Sequence, residues 1–365
     1  MHTNKGSRIP WLTILLLIIG VGCSKNYQHH IEVLTSPVTI DRKYPAMKGP
    51  ESAENLALGE GQPEELLWLR GARSEMVSGD GKQPVSQEFN CHTELDFGNY
   101  DGSSHQKAFG QNKNIIQWIF AMSEGQTTIK FPDGFGLPIL SNETLTLSSQ
   151  VLNNTVENAN FQVRYKYRLD FVRNRDLKES LKPLFVRMAP AVVPFETSPS
   201  LSGTGQKTPA KEDGGTCLLH KRASDRSQYE DPSGVKYTPH WVVNPGREVI
   251  HSSVTRFLDL PFDTSVHYIA VHLHPYAESV ELRDVTANKS IFKSEAVNHK
   301  DRMGLESVGY FSSVEGAPMF KDHEYELVTT YNNTTDVPHD AMAAMWLYLF
   351  DKEFKVPVLK KVVNN

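Results

Sequence analysis

Cysteine is scarce, with three in 365 residues, and no two of them form a CxxC pair. That excludes zinc-ribbon and thioredoxin-type motifs. A basic excess is also missing, since the formal net charge is −5. Affinity for nucleic acid needs lysine and arginine to neutralise phosphates, so no nucleic-acid partner is expected. There is no phosphate-cradling glycine loop and no Ser-His-Asp elbow. No long amphipathic helical pattern occurs. The one notable apolar run, Trp11 to Val21, follows Lys5 and Arg8. It is too short to span a bilayer comfortably and fits the apolar region of a signal peptide.

That run ends in Gly20-Val21-Gly22-Cys23. Small residues directly before a cysteine resemble a bacterial lipoprotein cleavage site, with Gly20 where leucine is usual. The resemblance implies that residues 1–23 are a lipoprotein signal peptide and that Cys23 carries the lipid. The protein would then be exported and held on the periplasmic or cell-surface face of a membrane. Several acyl chains anchor stably, because each buried methylene contributes about 0.8 kcal/mol. An exported compartment permits disulfides. Cys91 and Cys217 are left over: a bridge, two thiols, or a thiol acting as a metal ligand all fit the sequence.

What is present is an ordinary globular balance, 39% hydrophobic and 22% charged, punctuated by 21 proline and 24 glycine. That suits many short strands and turns. Residues 24–60 are broken by Ser36-Pro37, Tyr44-Pro45 and Gly49-Pro50 and read as a flexible tether, with His29-His30 incidental. Residues 61–196 read as strands. The segment Phe161–Val172 alternates apolar and polar side chains with period two, the mark of a half-buried strand. Residues 113–122 read as a short helical or irregular piece. Residues 197–239 read as an inserted loop or linker, and strands resume over 240–365. The expectation is an all-β chain of two antiparallel sandwiches in tandem.

The sharpest chemical feature is His272-Leu273-His274 in a strand-like run. Residues i and i+2 of a strand share a face, so both imidazoles can reach one ion. Imidazole suits copper and zinc alike. Met342 opens an apolar strand after a polar loop, and a thioether selects Cu(I). Met345 lies three positions on and falls on the opposite face. His267, five residues before His272, also points the other way. His240 and His339 stand beside proline and a loop, where they are structural or orient a ligand.

His272, His274 and Met342 together resemble the second-domain metal ligands of the copper type II, ascorbate-dependent monooxygenases. Asn244-Pro245-Gly246 resembles that family's Pro-Gly turn. Asp340-Ala341-Met342 resembles its methionine-ligand strand, and the Ile129–Gly136 segment resembles its first-domain approach to a third histidine. The resemblance covers most of 85–355 except 197–239. It implies two jelly-roll-like domains and a copper ion on His272, His274 and Met342 that activates dioxygen. It also implies an external reductant such as ascorbate and a small-molecule or peptide substrate. The first domain departs from the family pattern: Cys91-His92 stands for a His-His pair and Leu152 for a later histidine. His92 with Cys91, or His220 beside Cys217, would have to rebuild that second site, and its loss is the simpler expectation. One copper ion is therefore expected. A non-catalytic copper-binding or structural lipoprotein is the alternative.

Overall fold

The computed structural model describes residues 28–44, 46, 48–59, 64–98, 104–109, 116–195, 229–357 and 359. The expectations about the signal peptide, lipidation at Cys23, the Cys91–Cys217 pairing and His220 fall on residues outside these. Among the described residues the chain is all-β, with only short helical pieces such as Ser104–Phe109 and Thr255–Leu258.

The strand Phe161–Arg173 bears out the period-two pattern. Val163, Tyr165, Tyr167, Leu169 and Phe171 are buried, while the residues between them are partly or fully exposed. It pairs antiparallel with Leu66–Ser78. Its other edge receives His29–Leu34 and Val38–Ile40. Residues 24–60 are therefore not a flexible tether throughout. From His29 the chain is woven into the body, and Glu51–Ala57 adds a further strand beside Thr144–Val151. Residues 113–122 are likewise not helical over their described part, because Trp118–Met122 is a strand beside Asn90–Phe97.

The two halves do not part cleanly near residue 196. The Phe161–Arg173 and Leu66–Ser78 pair continues through Phe135–Leu140, which meets Lys182–Pro190 in a short parallel contact. Lys182–Pro190 then pairs along seven residues with Ala343–Phe350, the C-terminal strand. Thr264–Leu273 and Phe311–Met319 follow. Lys182–Pro190 thus belongs in space with the second half, although a boundary near residue 196 assigns it to the first.

A four-stranded sheet covers the first half and a five-stranded sheet, Gly246–Ser253 to Leu305–Val308, belongs to the second. Between them the strands around Ala343–Phe350 form a middle layer with two dry faces. Ala344, Trp346 and Tyr348 join the first hydrophobic core; Ala343, Met345, Leu347 and Leu349 join the second. The near-continuous apolar run Ala343–Phe350 is what a strand buried on both faces requires. Thr264–Leu273 divides in the same way: Tyr268 and Ala270 face the first core, and Ile269, Val271 and Leu273 face the second. His272 continues the Tyr268–Ala270 row, where that row runs out of the core into a cleft between the halves.

Candidate metal centre

His272 stands opposite Ala344 in the ladder between Thr264–Leu273 and Ala343–Phe350. One step further, the backbone N–H of His274 donates to the carbonyl of Met342 at 3.3 Å. The strand pairing thus sets Met342 beside the histidine pair, although 68 positions separate it from His274. The buried Tyr331 pins the junction. Its hydroxyl donates to the Met342 carbonyl at 2.7 Å and accepts from the His274 N–H at 3.1 Å. Met342 is 7% exposed and belongs to none of the hydrophobic clusters, whereas Met345 fills the second core.

The ring centroids of His272 and His274 lie 5.2 Å apart. Two imidazoles sharing an ion at metal–nitrogen distances of about 2.0–2.1 Å have centroids no more than roughly 6.4 Å apart, so the pair fits a shared ion. Nδ1 of His274 faces Asp340, 3.1 Å from Oδ2 and 3.4 Å from the backbone oxygen. That neighbour holds the proton on Nδ1 and leaves the Nε2 lone pair for a ligand role. Asp340 arrives on His339–Ala341, which pairs with Trp241–Val243 and so brings His240 close as well. Nδ1 of His240 is 4.0 Å from Asp340 Oδ1, and its ring centroid is 6.3 Å from that of His274.

His92 joins this neighbourhood from the first half. A β-bulge at Asn90/His92 displaces Cys91, and His92 then faces Gln150. Both Cys91 and His92 are buried. Desolvation pushes His92 down to about 3, helped by the charges of His274 and His240. His272, partly exposed to the cleft, is held well below the ordinary imidazole value by desolvation, then by His274, His92 and His240. Neutral imidazole is the form that binds metal.

Among the described residues, no three histidine, cysteine, aspartate or glutamate side chains are disposed to hold one ion. Cys91 and Leu152 both lie on the cleft wall. What the cleft offers is the two imidazoles of His272 and His274, and the neighbouring strand brings the Met342 backbone alongside them. His267 is elsewhere: it stacks on Phe135 at 4.0 Å and contacts Ser265 Oγ and the Ser313 carbonyl. His339 packs against Tyr276 and contacts Thr335.

The cleft is a cavity of about 260 Å³ lined from both halves, with Asn90, Cys91 and Glu124 facing His272, His274 and Asp340. Burial pushes Glu124 up to about 7, against a lowering contribution from the Leu305 N–H and Arg302. Tyr331 and Glu124 had no individual signal in the sequence. Asp340 alone was within reach, since it precedes Met342 by two in a strand and shares its face.

No family model matches the chain, and no curated protein does. Among solved structures, a recombinant N-glycanase F is similar over 91% of this chain and 99% of that one, at 8% identity and a TM-score of 0.33. The STIV MCP is similar over 87% and 96%, at 7% identity and a TM-score of 0.27. Likenesses this loose carry no argument about fold or function.

Proposed function

We propose that this chain is a copper-binding, monooxygenase-like oxidoreductase, exported as a lipoprotein and tethered to a membrane through Cys23. The observation that carries the copper reading is the ladder that seats Met342 beside His274 while His272 shares its strand face. His272, His274 and Met342 would hold the ion. Bound there, copper would supply one-electron redox chemistry next to dioxygen and a substrate C–H bond. The chain's own residues do the remaining work. Asp340 orients the His274 ring, and Tyr331 fixes the strand end that carries both donors. The cavity leaves room for a small substrate beside the imidazoles.

Copper loading followed by oxygen uptake with ascorbate tests the reading. About one ion per chain with X-ray absorption showing sulfur beside nitrogen ligation is expected, and Met342→Leu removes the sulfur signal. Nitrogen-only ligation in the wild type sinks the ligand set. The second reading, a copper holder without turnover, draws on the sequence, where Cys91 and Leu152 stand at positions that are histidines in the family it resembles. Copper binding without reductant-dependent oxygen uptake selects it.

Tyr331→Phe is expected to lower copper affinity by roughly 10–100-fold, the usual effect of losing a group that orients ligands. It should cost about 1–3 kcal/mol of stability. A copper competition titration beside a urea melt reads both, and unchanged affinity would separate Tyr331 from the site.

A further inference from the structure

We propose that Ser265 and His267 form a second reactive centre, outside the copper cleft, in which the Ser265 hydroxyl is a nucleophile activated by His267 and takes the acyl group of a small carboxylic ester. Oγ of Ser265 lies 2.8 Å from Nε2 of His267, and Nδ1 of His267 lies 3.0 Å from the Ser313 carbonyl oxygen. A carbonyl only accepts, so the ring proton sits on Nδ1. Nε2 then carries the lone pair, and the Ser265 hydroxyl donates to it. A hydroxyl within about 2.6–3.2 Å of a base that a third group orients is the arrangement that activates serine. Burial holds His267 below the ordinary imidazole value, so the ring is neutral and ready to take a proton.

The backbone sets this geometry. Ser265 and His267 lie two apart on Thr264–Leu273 and share a face. A β-bulge falls at His267: Val266 stands opposite Ala317 and Tyr268 opposite Ser312, so Ser313–Gly316 arches over that one residue. Bulges re-aim side chains in this way. The Gly316 N–H closes the arch by donating to Ser313 Oγ at 2.9 Å. Gly316 has φ +74°, and a Cβ there would stand 2.6 Å from Cε1 of His267, so the close approach needs glycine. Phe135 stacks on the imidazole at 4.0 Å. Lys182, 5.2 Å over the Phe135 ring, further opposes a proton on His267. His267 is 4% exposed, whereas Ser265 is only partly buried, so a reagent can reach the hydroxyl while the base stays dry. The pair lies near the sheet's margin, with only Phe311–Met319 beyond it, which suits a small ester arriving from solvent. In the step, Oγ bonds to the carbonyl carbon and the bond from that carbon to the alcohol oxygen breaks. The Ser265 proton passes to Nε2 and from there to the departing alcohol. Water then attacks the acyl-serine by the reverse route, releasing the carboxylic acid and restoring the hydroxyl.

The test treats the full-length protein with a fluorophosphonate probe and maps the labelled peptide by mass spectrometry, while p-nitrophenyl acetate reports turnover. A single adduct on Ser265 is expected, with nitrophenol release that falls to background in Ser265→Ala. His267→Asn is expected to slow labelling and release by about 10²–10⁴-fold, the usual worth of a general base, with folding checked by the melting midpoint. If that variant does not fold, Ser265→Cys carries the test. Its thiol, beside the imidazole, is expected to react with iodoacetamide at about pH 7 at least tenfold faster than glutathione does. An unlabelled Ser265 in the wild type overturns the proposal. So does labelling at an unchanged rate in folded His267→Asn, or a Ser265→Cys thiol no faster than glutathione. None of these readouts needs copper, so the outcome is independent of the metal reading.

Discussion

Replacing His272 and His274 together with alanine is expected to drop copper from about one ion per chain to near none, with the fold intact. The thioether of Met342 alone is a weak donor, and Asp340 is then left facing an empty position rather than supplying a replacement. His240 and His92 are nearby. Yet no three histidine, cysteine or carboxylate groups among the described residues share an ion-holding arrangement, so they are not expected to rescue binding. The strand itself should persist. His272 stands where its row leaves the core for the cleft, and its neighbours Val271 and Leu273 keep the second core closed. Metal analysis and circular dichroism of the purified double variant check this. A full complement of copper in that variant would remove the site from these residues.

Tyr348→Ala is expected to destabilise the whole body by about 3–5 kcal/mol, the range for deleting a buried aromatic. Such a loss is a large fraction of the roughly 5–15 kcal/mol that a folded domain has. Tyr348 is fully buried, packs on Phe131 at 4.7 Å and on Tyr268 at 5.8 Å, and donates to the Ile119 carbonyl at 2.9 Å. Ile119 and Phe131 come from the first half, and Tyr268 and Tyr348 from the second. One substitution should therefore lower a single cooperative transition seen alike by tryptophan fluorescence and far-UV dichroism. For the same reason, residues 240–365 expressed alone should not fold. That fragment lacks Lys182–Pro190, one of the two strands that flank Ala343–Phe350, and it would expose Trp346 and Tyr348 to water. Two separate melts, with only the second moved by Tyr348→Ala, would show independent halves instead.

Strand content was legible where one face meets water. In Phe161–Arg173 the alternation is regular because each inward side chain packs on the first core and each outward one is solvated. His29–Leu34 was not legible. It is an edge strand that is half-buried in alternation, and its polar residues His29, His30 and Glu32 mask the pattern. The boundary near residue 196 failed for a different reason. Lys182–Pro190 finds its partner about 160 positions away, and a local pattern holds no record of which distant strand completes a ladder.

The histidine pair was readable because strand geometry alone puts residues 272 and 274 on one face. The sequence by itself therefore determined the strand character, the shared face of His272 and His274, and the presence of a soft sulfur donor at Met342. Only the tertiary structure decided that Met342 meets His274 across a ladder, that Asp340 and Tyr331 position that junction, and that Glu124 faces it from the other half. Those contacts depend on register between strands far apart in the chain, and register is fixed by which faces the two cores bury.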